Sequence, residues 1–176
     1  QQINQCMMDV RDLHPMRFSA KLDDILTFLK PFRKCRKARK PDFRYALRKT
    51  LLEELQILES DSEVETTLLV HPNVLQDFDD FNQFLDLADA LILQEGYSGI
   101  FQIASFHPQY KFAETVIEAE NYSNRSPYPL LHVLREASVT REIASYPDIT
   151  TIPLQNVRLL RRLGVAKLQS LLQHVK

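Results

Sequence analysis

The chain has 176 residues, 44% hydrophobic and 26% charged, with a formal net charge of −1: an ordinary balance for a soluble globular protein, and enough length for a sizeable core. No apolar run approaches the roughly 20 residues that a spanning helix needs, and Asp9, Arg11 and Asp12 break up any secretory-signal layout, so a cytoplasmic protein is expected. Cys6 and Cys35 lie far apart without metal-type spacing and argue against a disulfide scaffold.

Residues 1–42 read as a loosely ordered N-terminal segment, and 43–176 as a single globular domain. Within the first, Leu22, Ile25, Leu26 and Leu29 follow helical spacing and predict a short helix before Pro31. A basic loop follows. Residues 30–49 hold ten Lys/Arg against one acid, Asp42, whereas residues 50–110 hold twelve Asp/Glu and no Lys or Arg. Segment 30–49 could bind a polyanion. The favoured reading is that the two blocks neutralise each other or are separately solvated, because a nucleic-acid surface gains little beside a strongly acidic one.

Residues 43–47 are expected as a short strand. Leu51, Leu52, Leu55 and Leu58 then predict a helix, and residues 60–63 a polar break. Residues 66–71 are β-branched and apolar, a buried strand stopped by Pro72. A helix over 77–95 follows, with Phe78, Phe81, Phe84, Leu85, Ala88 and Leu91 inward and Gly96 as its cap. Residues 100–106 are the next strand, stopped by His107 and Pro108. Ser126 and Pro127 look like the N-cap and first position of a helix running to 144. A Thr- and Pro-containing linker leads to a helix from 153 to Gly164, then a terminal amphipathic helix. That last pair has a faint helix-turn-helix look, but a plain helical hairpin is favoured. The alternation predicts an α/β fold: a small, mainly parallel three-stranded sheet covered by helices, with a helical C-terminus. An antiparallel first strand would make it a two-layer α+β fold.

The two clearest strands both end in His-Pro and are joined by one helix. As parallel neighbours they would place His71 and His107 on one rim, where α/β proteins bind ligands. The loop beyond His107 adds Tyr110, Asn121, Asn124 and Arg125. On the expected helix, Tyr128, His132, Arg135 and Glu136 share a face. His71, His107 and His132 are the candidate acid/base residues, because imidazole moves protons near neutral pH. Tyr110, Asn121, Asn124, Arg125, Arg135 and Glu136 are candidate ligand contacts, the arginines suiting a carboxylate or phosphate. The bland alternative is that these histidines cap strand ends or pack in the core. A metal on His71, His107 and His132 is possible, though local spacing does not support it. With three glycines, no phosphate loop or dinucleotide fingerprint can be written, and no G-x-S-x-G, H-E-x-x-H or C-x-x-C occurs. Asn121-Tyr-Ser and Asn124-Arg-Ser match the glycosylation pattern by chance.

Three stretches carry a resemblance: Glu65-Thr-Thr-Leu-Leu-Val-His-Pro72; Phe101-Gln-Ile-Ala-Ser-Phe-His-Pro108 with Tyr110 and Phe112; and Asn121-Tyr-Ser-Asn-Arg-Ser-Pro-Tyr-Pro129 with His132 and Leu134-Arg-Glu-Ala-Ser138. From roughly residue 43 to the C-terminus the chain resembles a bacterial family catalogued as domain of unknown function fourteen-fifteen, which implies no activity. Family members carry a Gly-Leu-Asn-Leu-Cys-Pro-Phe-Ala type motif upstream. Here Phe28-Leu29-Lys30-Pro31-Phe32-Arg33 is the nearest match, with Lys30 in the cysteine's place, and Cys35 is no assured substitute. Ile117 and Glu118 replace an aspartate pair. The resemblance thus implies either a degenerate member, in which any chemistry of that thiol would be lost, or an altered N-terminus.

Three functions remain open: an enzyme-like protein acting on a small anionic substrate, a non-catalytic binding or interaction module, and a polyanion binder through 30–49. Whether the chain is an enzyme is not decided by its residues, and neither are substrate, cofactor and oligomeric state.

Overall fold

The computed structural model describes residues 40–145 and 151–173. The expectations for residues 1–39, including the helix before Pro31, the basic loop, Lys30 and Cys35, lie outside the described residues, as does most of the linker after 145.

Helix α1 (Lys40–Ser60) buries Leu47, Leu51, Leu55 and Leu58, a stripe recurring every three or four residues. That stripe extends back through Leu47, so the strand expected over 43–47 is instead the first turns of α1. Strand β1 (Thr66–Val70) follows. Helix α2 (Phe78–Gln94) begins where Asp77 accepts hydrogen bonds from the backbone N–H groups of Asp79 (2.9 Å) and Asp80 (3.0 Å). It buries Phe81, Phe84, Ala88, Leu91 and Ile92 and ends before Gly96, whose φ of +78° suits the turn out of a helix. Next come β2 (Phe101–Phe106), a 3-10 helix (Glu118–Asn124), β3 (Leu130–Arg135), α3 (Glu136–Ser145) and α4 (Thr151–Gln173). Gly164, with φ +73° and ψ 160°, breaks α4 into two helices at the point where the sequence ends one.

The fold combines helices with a three-stranded sheet ordered β1-β3-β2, in which β3 runs antiparallel to both neighbours. This corrects two expectations. The sheet is antiparallel, and residues 130–135 form its central strand where a helix opening at Ser126 was expected. Both errors have one cause. The α2 crossover returns β2 parallel to β1 but leaves a gap one strand wide, and β3 fills it. Leu131 and Val133 face α1 and α2 together with Leu69, Phe101 and Ile103. The alternate residues face the other side, where Ala104, Phe106, Leu130 and Leu134 meet Val139 and Ile143 of α3. A strand apolar on both faces loses the polar alternation that marks a strand in sequence. Among the described residues no helix is long and apolar enough to cross a membrane.

Candidate functional site: the histidine rim

Val70 and Phe106 both pair with Leu130 in register. His71 and His107 therefore emerge on the same rim of the sheet, on either side of Pro129. Two interstrand spacings separate their strands, roughly 10 Å. The expected pair thus shares a rim, but with β3 between its members. His71 donates its backbone N–H to the Pro129 carbonyl at 2.8 Å, and His107 donates its own to Asn124 at 3.1 Å.

Both imidazoles lie on the α2 side. His71 meets the Phe84 ring edge-on at 6.4 Å, and His107 packs against Phe81 at 5.0 Å and Phe78 at 5.3 Å. His132 is two residues further along β3, paired with Leu68 and Ala104 on the opposite face. Strand parity therefore keeps it from joining the other two. Among the described residues no group of three or more His, Cys, Asp or Glu side chains is placed to hold a metal ion, so the three-histidine site is not formed.

The rim histidines differ in what their nitrogens do. His107 is fully buried; its Nε2–H donates to the Leu75 carbonyl at 2.9 Å, and its Nδ1 accepts from the Gln109 backbone N–H at 3.0 Å. Those partners require the neutral Nε2–H tautomer. Burial lowers its pKa, opposed by the Leu75 hydrogen bond and the charge of Asp77. His71 is also buried, but its Nε2 has no hydrogen-bond partner, and burial pushes its pKa down to about 4. Burial likewise brings His132 to about 4.

The nominated ligand contacts are mostly engaged with the protein itself. Arg135 donates to the carbonyls of Leu58, Asp61 (3.1 Å) and Val64 (2.9 Å), closing the C-terminal end of α1, and lies over the Phe101 ring. Arg125 pairs with Glu118 at 2.5 Å, donates to the Tyr110 carbonyl at 3.3 Å and stacks over Tyr122. Asn121 is buried; its Oδ1 accepts from the Phe112 N–H at 3.0 Å and its Nδ2 donates to Glu118. Asn124 Nδ2 donates to the Ser105 carbonyl at 3.1 Å. Tyr110 packs between Phe78 and Phe112. Tyr128 is partly exposed before β3 begins, and Glu136 opens α3 with its N–H on the Ile100 carbonyl. Arg135 and Glu136 therefore sit at the opposite end of β3 from the rim, so the helical face expected to group them with Tyr128 and His132 does not exist.

Sequence reasoning missed Leu75 and Gln76. Leu75 holds φ at +56°, and Gln76 Nε2 donates to the carbonyls of His71 and Val74, both at 3.1 Å. An aliphatic residue gives no sequence sign of left-handed backbone. Glu118, the partner of both Arg125 and Asn121, was visible only as a departure from the family's aspartates.

The family model described as "Protein of unknown function (DUF1415)" matches residues 36–170. The matched stretch starts beyond Lys30, the position that stands in place of the family cysteine. A search of curated proteins finds no match, and a search of solved structures finds none. The match spans well over half of the chain and includes both His-Pro strand ends, the Asn-Arg loop and all three strands: the chain belongs to the DUF1415 family.

Proposed function

We propose that this domain is a binding or interaction module without catalytic chemistry. The observation that carries this reading is the engagement of both arginines nominated to hold an anion, Arg125 by Glu118 and Arg135 by three main-chain carbonyls. A guanidinium with its donors already committed has little left with which to grip a substrate carboxylate or phosphate. His107 supports the same reading, since both of its ring nitrogens are in hydrogen bonds and neither is available as a base.

Thermal unfolding in the presence of phosphate, citrate and a nucleoside monophosphate tests it. A module of this kind shows only the small, non-saturating shifts of ionic strength, the same in wild type and in Arg125→Gln. A saturable shift with one anion that Arg125→Gln abolishes would overturn the reading.

A second reading keeps acid/base work at His71, favoured by its buried Nε2 without a hydrogen-bond partner. With its pKa near 4 the ring is neutral at physiological pH and could accept a proton. Nitrogen-15 imidazole spectra recorded with the same three anions separate the readings. A ligand-dependent change at His71 Nε2 favours the second, and an unmoved signal the first.

A further inference from the structure

Two helices present outer faces of opposite charge, each with exposed leucines. On α2, the acids are Asp79, Asp80, Asp86 and Asp89, and the helix has no Lys or Arg. Leu87 is 40% exposed and Leu93 69%. Asp86, Asp89 and Leu93, at spacings of three and four, form one outward stripe. Asp80 lies 3.8 Å from Arg44, whereas Asp86 and Asp89 have no ion-pair partner among the described residues. Partial desolvation against the helix surface and the neighbouring Asp86 raise the pKa of Asp89, an exposed residue, as expected of acids crowded without a cation.

On α4 the pattern is reversed. It holds Arg158, Arg161, Arg162 and Lys167 and no acid. Arg161 is engaged by Glu120 of the 3-10 helix at 2.5 Å, which holds α4 to its own chain. Arg158, Arg162 and Lys167 have no ion-pair partner among the described residues. Leu154, Arg158 and Arg162 follow one another at four-residue spacing, with Leu159 and Leu163 alongside. Leu154 is 58% exposed, Leu159 36% and Leu163 38%.

We propose that the occupant of each face is the other face on a second copy of this chain: α4 of one protomer lies along α2 of its partner, and the contact is made twice about a two-fold axis. Charge chooses this arrangement over the other homotypic ones. Pairing α2 with α2 opposes acids, and pairing α4 with α4 opposes cations; only the crossed contact offsets both while covering the leucines. Leu93 beside Asp86 and Asp89 matches Leu154 beside Arg158 and Arg162, an apolar contact flanked by charge pairs. The dimer forms whether or not the histidine rim binds anything.

The test is sedimentation equilibrium of the full chain at low and high salt, with four proteins: wild type, Arg158→Glu/Arg162→Glu, Asp86→Lys/Asp89→Lys, and the fourfold variant carrying both pairs. All four changes are at exposed positions, and circular dichroism checks that each variant is folded. Wild type should dimerise, more weakly at high salt. Each double variant should raise the dimer Kd by about tenfold or more, and the fourfold variant, with its charges exchanged, should return to within about threefold of wild type. A monomer at every concentration in low salt overturns the proposal. So does a dimer indifferent to both double variants, or a fourfold variant no better than either double.

Discussion

The Nε2–H of His107 donates to the carbonyl of Leu75 at 2.9 Å, and Leu75 holds a φ of +56°. A bulky L-residue seldom adopts that conformation, which costs roughly 1–3 kcal/mol where it persists. The buried imidazole therefore acts as a cross-tie. It reaches from the end of β2 to the loop after β1 and fixes that loop's backbone under α2. His107→Ala should remove the tie, leave the Leu75 carbonyl without its donor and open a void between Phe78 and Phe81. The expected loss of stability is about 2–4 kcal/mol, read from urea unfolding midpoints.

Arg135 joins two parts of the chain far apart in sequence by donating to carbonyls at the end of α1 and just beyond it. Arg135→Met preserves the packing of the stem but leaves those carbonyls without a charged donor. It should lower the unfolding free energy by about 1.5–3 kcal/mol. Arg135→Lys should recover only part of this, since an ammonium cannot span three carbonyls as the planar fork does. If Lys were as good as Arg, Arg135 would be acting as a simple charge.

Histidine burial makes the fold acid-sensitive. His71 and His132 have folded-state pKa values of about 4, against 6.5 for the free group. In that window the unfolded chain binds protons that the folded chain does not, so stability rises with pH. The stability each contributes is complete above 6.5 and lost as pH falls through about 4. Replacing His71 with Leu should reduce the slope of unfolding free energy by about 1.2 kcal/mol per pH unit between pH 5 and 6. An unchanged slope would mean that the His71 ring is solvated.

Tyr97 donates to Glu59 at 2.7 Å, tying the turn after α2 to the end of α1. That hydrogen bond, with burial and the charges of Glu59 and Glu95, pushes the phenol up to about 12. Absorbance titration should show a late tyrosine ionisation near pH 12, and Tyr97→Phe should remove that step. The loss of the hydrogen bond should cost roughly 1 kcal/mol.

The elements legible in the sequence were those with local punctuation. Helix α2 carries a phenylalanine stripe at helical spacing and Gly96 at its end. Strands β1 and β2 are short apolar runs cut by Pro72 and Pro108. Strand β3 had no such marks. Leu130 to Arg135 is apolar on both faces because the strand is central, and Ser126-Pro127 before it imitates a helix start. The misreading of β3 carried the site with it: placing Arg135 on a helix brought it to His132, whereas on a strand it lies at the far end from the rim. The shared rim of His71 and His107 survived because it depends only on β1 and β2 running the same way. Whether a side chain is free or engaged depended on distant partners such as Leu58, Val64 and Leu75, which no local pattern names.

The central claim is that the polar side chains expected to meet a ligand are mostly committed to the fold itself, with His107 as the plainest case. Nitrogen-15 imidazole spectra of the full chain as a function of pH test it most directly. At pH about 6.5, where a free imidazole is half protonated, His107 should be less protonated than that, its neutral form carrying the proton on Nε2 and exchanging it slowly. A His107 that titrates at the ordinary value, or carries its proton on Nδ1, would contradict the account and return the ring to the list of available bases.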